Sequence, residues 1–248
     1  MTNPLLNQLL FAVFPYVALF TFFLGTIMRY RKAPFTYSSL SSQFLENQQH
    51  FWGLVSFHYG IIVILLGHLC GMLVPSHVLA WNARPLRLYI LEISALVFGL
   101  LTVIGLFGII ERRLTNSKAR IVTSRMDWVL LVLLVFQSVT GIGIAIFYPW
   151  GTSWYAASMA PYLLSIFKFQ PDITFLATLP LLAKLHIVNA WLLVLVTTFT
   201  RLVHILVAPV PYLWRKPEVV RWYGKPGDAP APMRNIPVPA GRARGMGA

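Results

Sequence analysis

Five stretches of this chain are long and apolar enough to demand lipid: roughly Leu9 to Met28, Phe51 to Val74, Leu88 to Ile110, Trp128 to Phe147 and Leu179 to Ala208. Each reaches the ~20 residues that a helix needs to cross a ~30 Å hydrocarbon core. None alternates polar with apolar as a membrane strand does, so each backbone must satisfy itself as a helix. With 57% hydrophobic and 11% charged residues in a 248-residue chain, and a mean hydropathy of +0.69, a water-soluble globule is excluded. The fold class is an all-α membrane protein, a five-transmembrane-helix bundle.

The first window is not preceded by a basic region, and no small-residue cleavage site follows before Arg29, so it reads as a membrane helix rather than a signal peptide. Pro15 inside it predicts a kink of the sort that bundles in lipid tolerate. A net charge of +13 raises the question of nucleic acid, and the placement of the cations answers it. Arg29, Arg31 and Lys32 follow the first window, Arg112, Arg113, Lys118, Arg120 and Arg125 follow the third, and seven more lie beyond Ala208. Arg84, Arg87 and Lys168 are all that the opposite side holds. This positive-inside bias puts the N-terminus outside and the C-terminus in the cytoplasm of a multi-pass protein of the cytoplasmic membrane. The partner of the basic face is then anionic lipid, not nucleic acid. Residues 1–214 form the membrane domain. The tail 215–248, with Pro217, Pro226, Pro230, Pro232, Pro237 and Pro239, is expected to be extended or docked on a partner. In the fourth connection, Trp150, Trp154, Tyr155 and Tyr162 read as interfacial aromatics beside a short surface helix.

The second window carries His58 and His68 in FHYGIIVILLGHLCGM, and the fifth carries His186 and His204. An imidazole in hydrocarbon must find a partner. Ten residues separate the first two, ~15 Å along a helix, and eighteen separate the second two, ~27 Å on one face. Because the two helices are antiparallel, the workable pairing is His68 with His186 near the outside and His58 with His204 near the cytoplasm. A single buried histidine more often bonds a carbonyl or hydroxyl, but four at matching depths form two facing pairs, as six-coordinate haem iron requires. Zinc would need the pairs brought together. With one cysteine, Cys70, and no C-x-x-C-H motif, any haem is b-type; Cys70 reads as packing, and His50 and His77 as rim residues. Gly60, Gly67 and Gly71 would let a flat ring approach the helix.

The strings FHYGIIVILLGHLCGML, KLHIV and TRLVHILVAPVPYLWRK, together with PYVALFTFFLGTIMRY and SSQFL, resemble the gamma subunit of membrane-bound respiratory nitrate reductase, from about Phe14 to Lys216. The resemblance implies a di-haem cytochrome b that oxidises quinol near the outer haem. Electrons would pass through the second haem to an iron-sulfur beta subunit and a molybdenum catalytic alpha subunit for nitrate reduction. It assigns His68 and His186 to the outer haem, and His58 and His204 to the inner. Arg87 falls nearest to a lysine that the family uses at the quinol site, while Arg84 and Arg87 also suit headgroup anchors. Glu92 is a possible quinol proton acceptor or a neutral, hydrogen-bonded group. Arg201 is positioned to offset a haem propionate and Lys184 to snorkel. The same helices and ligands would serve the cytochrome subunit of a heterodisulfide-reductase-like or sulfite-reduction-associated complex. A haem-free polytopic protein with proton-relaying histidines is the reading from a different class.

Overall fold

The computed structural model describes residues 3–33 and 48–207, with side chains described over 3–33 and 53–206. The SSQFL string, the His50 side chain and the Pro-rich tail with its boundary at 214 lie outside the described residues. Five helices are long and apolar enough to span a membrane: Pro4–Lys32, Gly53–Leu73, Pro85–Thr115, Arg125–Phe147 and Leu181–Phe199. They are called the first to fifth spans here.

The first span bends where its sequence demands it. Pro15 has no N–H to offer the carbonyl of Phe11, its i−4 partner in an α-helix. The turn Leu9–Val13 opens into a π-helix just before it. The Tyr162 hydroxyl, from the external connection, donates to that Phe11 carbonyl at 2.8 Å. Tyr162 is 0% exposed, so it is a core residue and not the interfacial aromatic expected from its composition-rich neighbourhood. Its hydrogen bond explains why a polar tip can be buried there. Around it Phe11, Ala18, Ile144, Ile166, Ile187 and Trp191 knit the first, fourth and fifth spans to the external segment.

The second and third spans pack most intimately, along a seam of small residues. A Cβ built on Gly53 would lie 3.0 Å from the backbone of Gly108, and one on Gly60 2.8 Å from the Phe98 carbonyl. Backbones this close require a glycine at each point of approach, on both helices where Gly53 meets Gly108, the usual device of helices in lipid. Gly60 therefore serves the helix pair. Gly71 is likewise taken, against the Tyr155 ring, whereas Gly67 faces open space. The third span packs next on the fourth, the fourth on the fifth, and the fifth on the first.

Two connections hold more structure than expected. A helix Pro75–Asn82 follows the second span. The fourth connection is helical over Gly151–Trp154, a π turn Tyr155–Met159 and Ala160–Phe167, in place of one short surface helix. The fifth window also departs from expectation, because it is not one helix to Ala208. Regular helix ends at Val196, a 3-10 turn covers Thr197–Phe199, Thr200 is extended, and a second 3-10 segment runs Arg201–Val207. Three threonines in four residues favour the break: Thr197 bonds back to the Leu193 carbonyl at 2.8 Å, competing with the helical ladder. Arg29 from the first span donates to the carbonyls of Thr198 at 2.6 Å and Thr200 at 3.0 Å.

Candidate functional site

Three of the four membrane histidines share one local device. The Nδ1–H of His58 donates to the Leu54 carbonyl at 2.8 Å, that of His68 to Ile64 at 2.8 Å, and that of His204 to Arg201 at 2.6 Å. Each bond fixes the tautomer with the proton on Nδ1 and leaves Nε2 as a lone-pair donor. Metal-ligating histidines are oriented in this way, by a second-sphere acceptor on the far nitrogen.

His58 and His204 are brought together, with ring centroids 6.2 Å apart and planes at 61°. With a metal–imidazole bond of about 2 Å on each side, two rings on one metal have their centroids roughly 6 Å apart. The observed separation leaves room for both rings to hold one metal ion. The break at Thr200 positions His204 for this, and a second anchor lies one turn away. Arg201 Nε donates to Asp127 Oδ1 at 2.9 Å, and its Nη2 donates to the Val122 carbonyl at 2.5 Å. Asp127, 3% exposed, also closes the capping box that starts the fourth span: Ser124 N–H donates to Oδ2 at 2.8 Å, and the Asp127 N–H donates to the Ser124 hydroxyl at 3.2 Å. Arg113 of the third span stands 3.8 Å from the same carboxylate. A carboxylate at a helix N-terminus is favoured by the dipole, and here it ties three spans together beside His204.

At the other end, His68 is exposed on the open side of the second span, next to Gly67. The Tyr155 ring meets it edge-on at 5.1 Å, and the Tyr155 hydroxyl donates to the His68 carbonyl at 3.0 Å. Burial pushes the Tyr155 phenol up to about 12, so it remains a donor at any physiological pH. His186 is engaged on the fourth span instead. Its Nδ1 pairs with the Thr140 hydroxyl at 2.9 Å and its Nε2 with the Gln137 amide at 3.0 Å. Asn189 orients that amide by donating to Gln137 Oε1 at 2.7 Å and to the Leu133 carbonyl at 3.0 Å. Iron on His186 Nε2 would displace the Gln137 contact and keep the Thr140 one.

The remaining expected residues are placed as follows. Arg87 lies over the Trp81 ring at 5.0 Å on the outer rim. Glu92 accepts from the Thr152 N–H at 2.8 Å and hydroxyl at 2.7 Å, anchoring the fourth connection. Lys184 lines a cleft with Asn7 and Thr174. Cys70 and His77 are exposed, so Cys70 is not the packing residue expected. No group of three or more potential metal-ligating His, Cys, Asp or Glu side chains occurs among the described residues. Sequence reasoning missed Arg29, Asp127, Gln137, Thr140 and Asn189. Gln137 and Asn189 did carry a signal, since polar side chains within apolar windows are rare and need partners; Asp127, one residue ahead of the fourth window, carried a weaker one.

Comparison with known proteins identifies the family. The family model described as nitrate reductase gamma subunit matches residues 7–223. The chain is 31% identical over 218 residues to the nitrate reductase gamma chain of Bacillus subtilis, covering 87% of this chain and 98% of that one. It is 32% identical over 224 residues to the respiratory nitrate reductase 2 gamma chain of Escherichia coli, covering 87% and 97%. It is 29% identical over 222 residues to the nitrate reductase-like protein NarX of Mycobacterium tuberculosis, but covers only 34% of that longer protein. This five-span chain therefore belongs to the nitrate reductase gamma subunit family, the membrane electron-transfer component of respiratory nitrate reductase.

Proposed function

We propose that this chain is a di-haem cytochrome b that oxidises quinol at its outer end and delivers the electrons to iron-sulfur beta and molybdenum alpha subunits on its cytoplasmic face, for nitrate reduction. The observation that carries the reading is the His58–His204 pair, spaced at 6.2 Å with each Nδ1 tied to a main-chain carbonyl. Bound b haem supplies a reversible one-electron iron couple, which divides the two-electron oxidation of a quinol into single transfers.

The protein's own part is to hold and orient. His58 and His204 would hold the inner haem iron through Nε2, and His68 and His186 the outer, the latter once His186 Nε2 gives up its contact with Gln137. Arg201, anchored on Asp127, supplies positive charge against a propionate at the inner end. Arg87, held over Trp81, offers guanidinium donors to a quinol oxygen at the outer rim. The basic segments after the first and third spans keep the His58–His204 end cytoplasmic, where the partner subunits dock.

The test is His68→Ala and His186→Ala in the assembled complex. Each should remove the outer haem's share of the reduced-minus-oxidised b spectrum and abolish quinol oxidation, while the inner haem persists. His58→Ala and His204→Ala should do the converse. Full retention of both haems in all four variants would refute the reading. A complex that copurifies without a molybdenum subunit would move the chain to the heterodisulfide-reductase-like alternative.

A further inference from the structure

We propose that Thr140 is a positioning residue for the outer site: its hydroxyl fixes the tautomer and plane of His186, and thereby sets the reduction potential at that end of the protein. This rests on His186 being an outer-haem ligand. Among the four histidines His186 alone gives its Nδ1–H to a side chain. The others give it to the carbonyls of Leu54, Ile64 and Arg201. The proton inventory has one consistent solution. The Thr140 hydroxyl donates to the Phe136 carbonyl at 2.7 Å, which turns its lone pair toward the ring, so His186 Nδ1–H must be the donor at 2.9 Å. Nε2 is then the acceptor of the Gln137 amide, in agreement with Asn189 donating to Gln137 Oε1.

Thr140 is 5% exposed, so water cannot replace its hydroxyl if it is removed. Its neighbour Gly141 makes the approach possible. A Cβ there would lie 3.1 Å from His186 Cε1, so the ring is seated against bare backbone on one side and against Thr140 on the other. The chemical consequence follows from the acceptor. A bond from Nδ1–H makes the imidazole a more basic ligand, and more basic ligands favour the ferric over the ferrous iron. By donating to the Phe136 carbonyl, the Thr140 hydroxyl becomes a stronger acceptor for the Nδ1–H. His186 is therefore the one ligand of the four whose basicity a single side chain controls.

The experiment is a potentiometric titration of both b haems in the intact complex. Thr140→Val keeps the shape and removes the acceptor. It should raise the outer potential by about tenfold in the reduction equilibrium, ~59 mV for a one-electron couple, and leave the inner potential unchanged. Thr140→Ser should restore the wild-type value, and Thr140→Cys, a weak acceptor, should fall between. If the Val variant fails to assemble, the Ser and Cys pair still decides. An outer potential that is the same in the Val and wild-type proteins, or in the Ser and Cys variants, overturns the inference. His186→Ala is the control for the underlying reading. Loss of the outer haem there, with no shift in the Thr140 variants, rejects the role of Thr140 alone. Retention of both haems rejects His186 as a ligand.

Discussion

Replacing Arg29 by leucine should damage the inner site selectively, although Arg29 lies on a span that carries no histidine. One guanidinium nitrogen reaches the Thr198 and Thr200 carbonyls, at 2.6 and 3.0 Å, across the break that lets His204 meet His58. Hydrogen bonds to a charged group are each worth about 1.5–3 kcal/mol net. Because Arg29 is only half-buried, the loss of the pair is set at that range for the two together, not for each. At 1.4 kcal/mol per decade, this predicts roughly a 10- to 100-fold weaker hold on the inner haem. Without the cap, the fifth span also gains from closing its own ladder through Thr200, which would rotate His204 off its partner. The assay is the amplitude and midpoint of each b component in a redox titration of purified complex. The inner component should shrink or shift, with the outer one at its wild-type midpoint. Arg29→Lys keeps the charge but replaces a planar fork by a point donor, and should give an intermediate loss. Inner amplitude and midpoint both at wild-type values in Arg29→Leu would refute the claim that this cap positions His204.

Tyr162→Phe leaves the Phe11 carbonyl without its donor and should cost about 1–3 kcal/mol, lowering the thermal midpoint in detergent by about 2–4 °C per kcal/mol. In a Pro15→Ala background, where a backbone N–H is available again, the same change should cost under about 0.5 kcal/mol; equal costs in the two backgrounds would break the link between the proline and the tyrosine. The Tyr155 phenol gives a pH dependence whose sign is set by its raised value. It loses its proton at about 12 in the folded protein and near 10.0 when unfolded. The unfolded chain therefore holds fewer protons between those values, and the stability from this residue is intact below about pH 10 and falls as pH rises toward 12. Tyr155→Phe should flatten that alkaline fall, as followed by thermal unfolding; an unchanged slope would mean that the phenol is not buried against His68.

The five spans were legible because nothing but lipid suits such windows, and the helical form followed from the need to satisfy every backbone group internally. Gly60 was legible as a residue making room, but for the wrong visitor. Its Cβ direction meets Phe98 and Thr102 of the third span, and that depends on which helix lies alongside, a fact that periodicity does not contain. Tyr162 was misplaced at the interface for a related reason. Its burial depends on an orphaned carbonyl 151 residues earlier in the chain. Asp127 meets Arg201 across 74 residues, and Thr140 meets His186 across 46. All these partners share a property: each is chosen by tertiary packing among several polar groups that could have met the same need.

His204 makes the point most sharply. A continuous helix places it on the face of His186, since eighteen steps of ~100° close the circle. The real chain leaves the helix at Val196, turns through 3-10 geometry and passes one extended residue, so that phase relation no longer applies. The ring nevertheless stands 6.2 Å from His58. What aims it is a pair of long-range anchors, Arg29 on the carbonyls before it and Asp127 on Arg201 just after the break. Periodicity could announce that the fifth span needs a partner at each end. The inner partner is selected by two arginines whose targets lie on other helices, which is why Arg29, remote from every histidine in the sequence, is the residue on which the inner site's geometry is expected to turn.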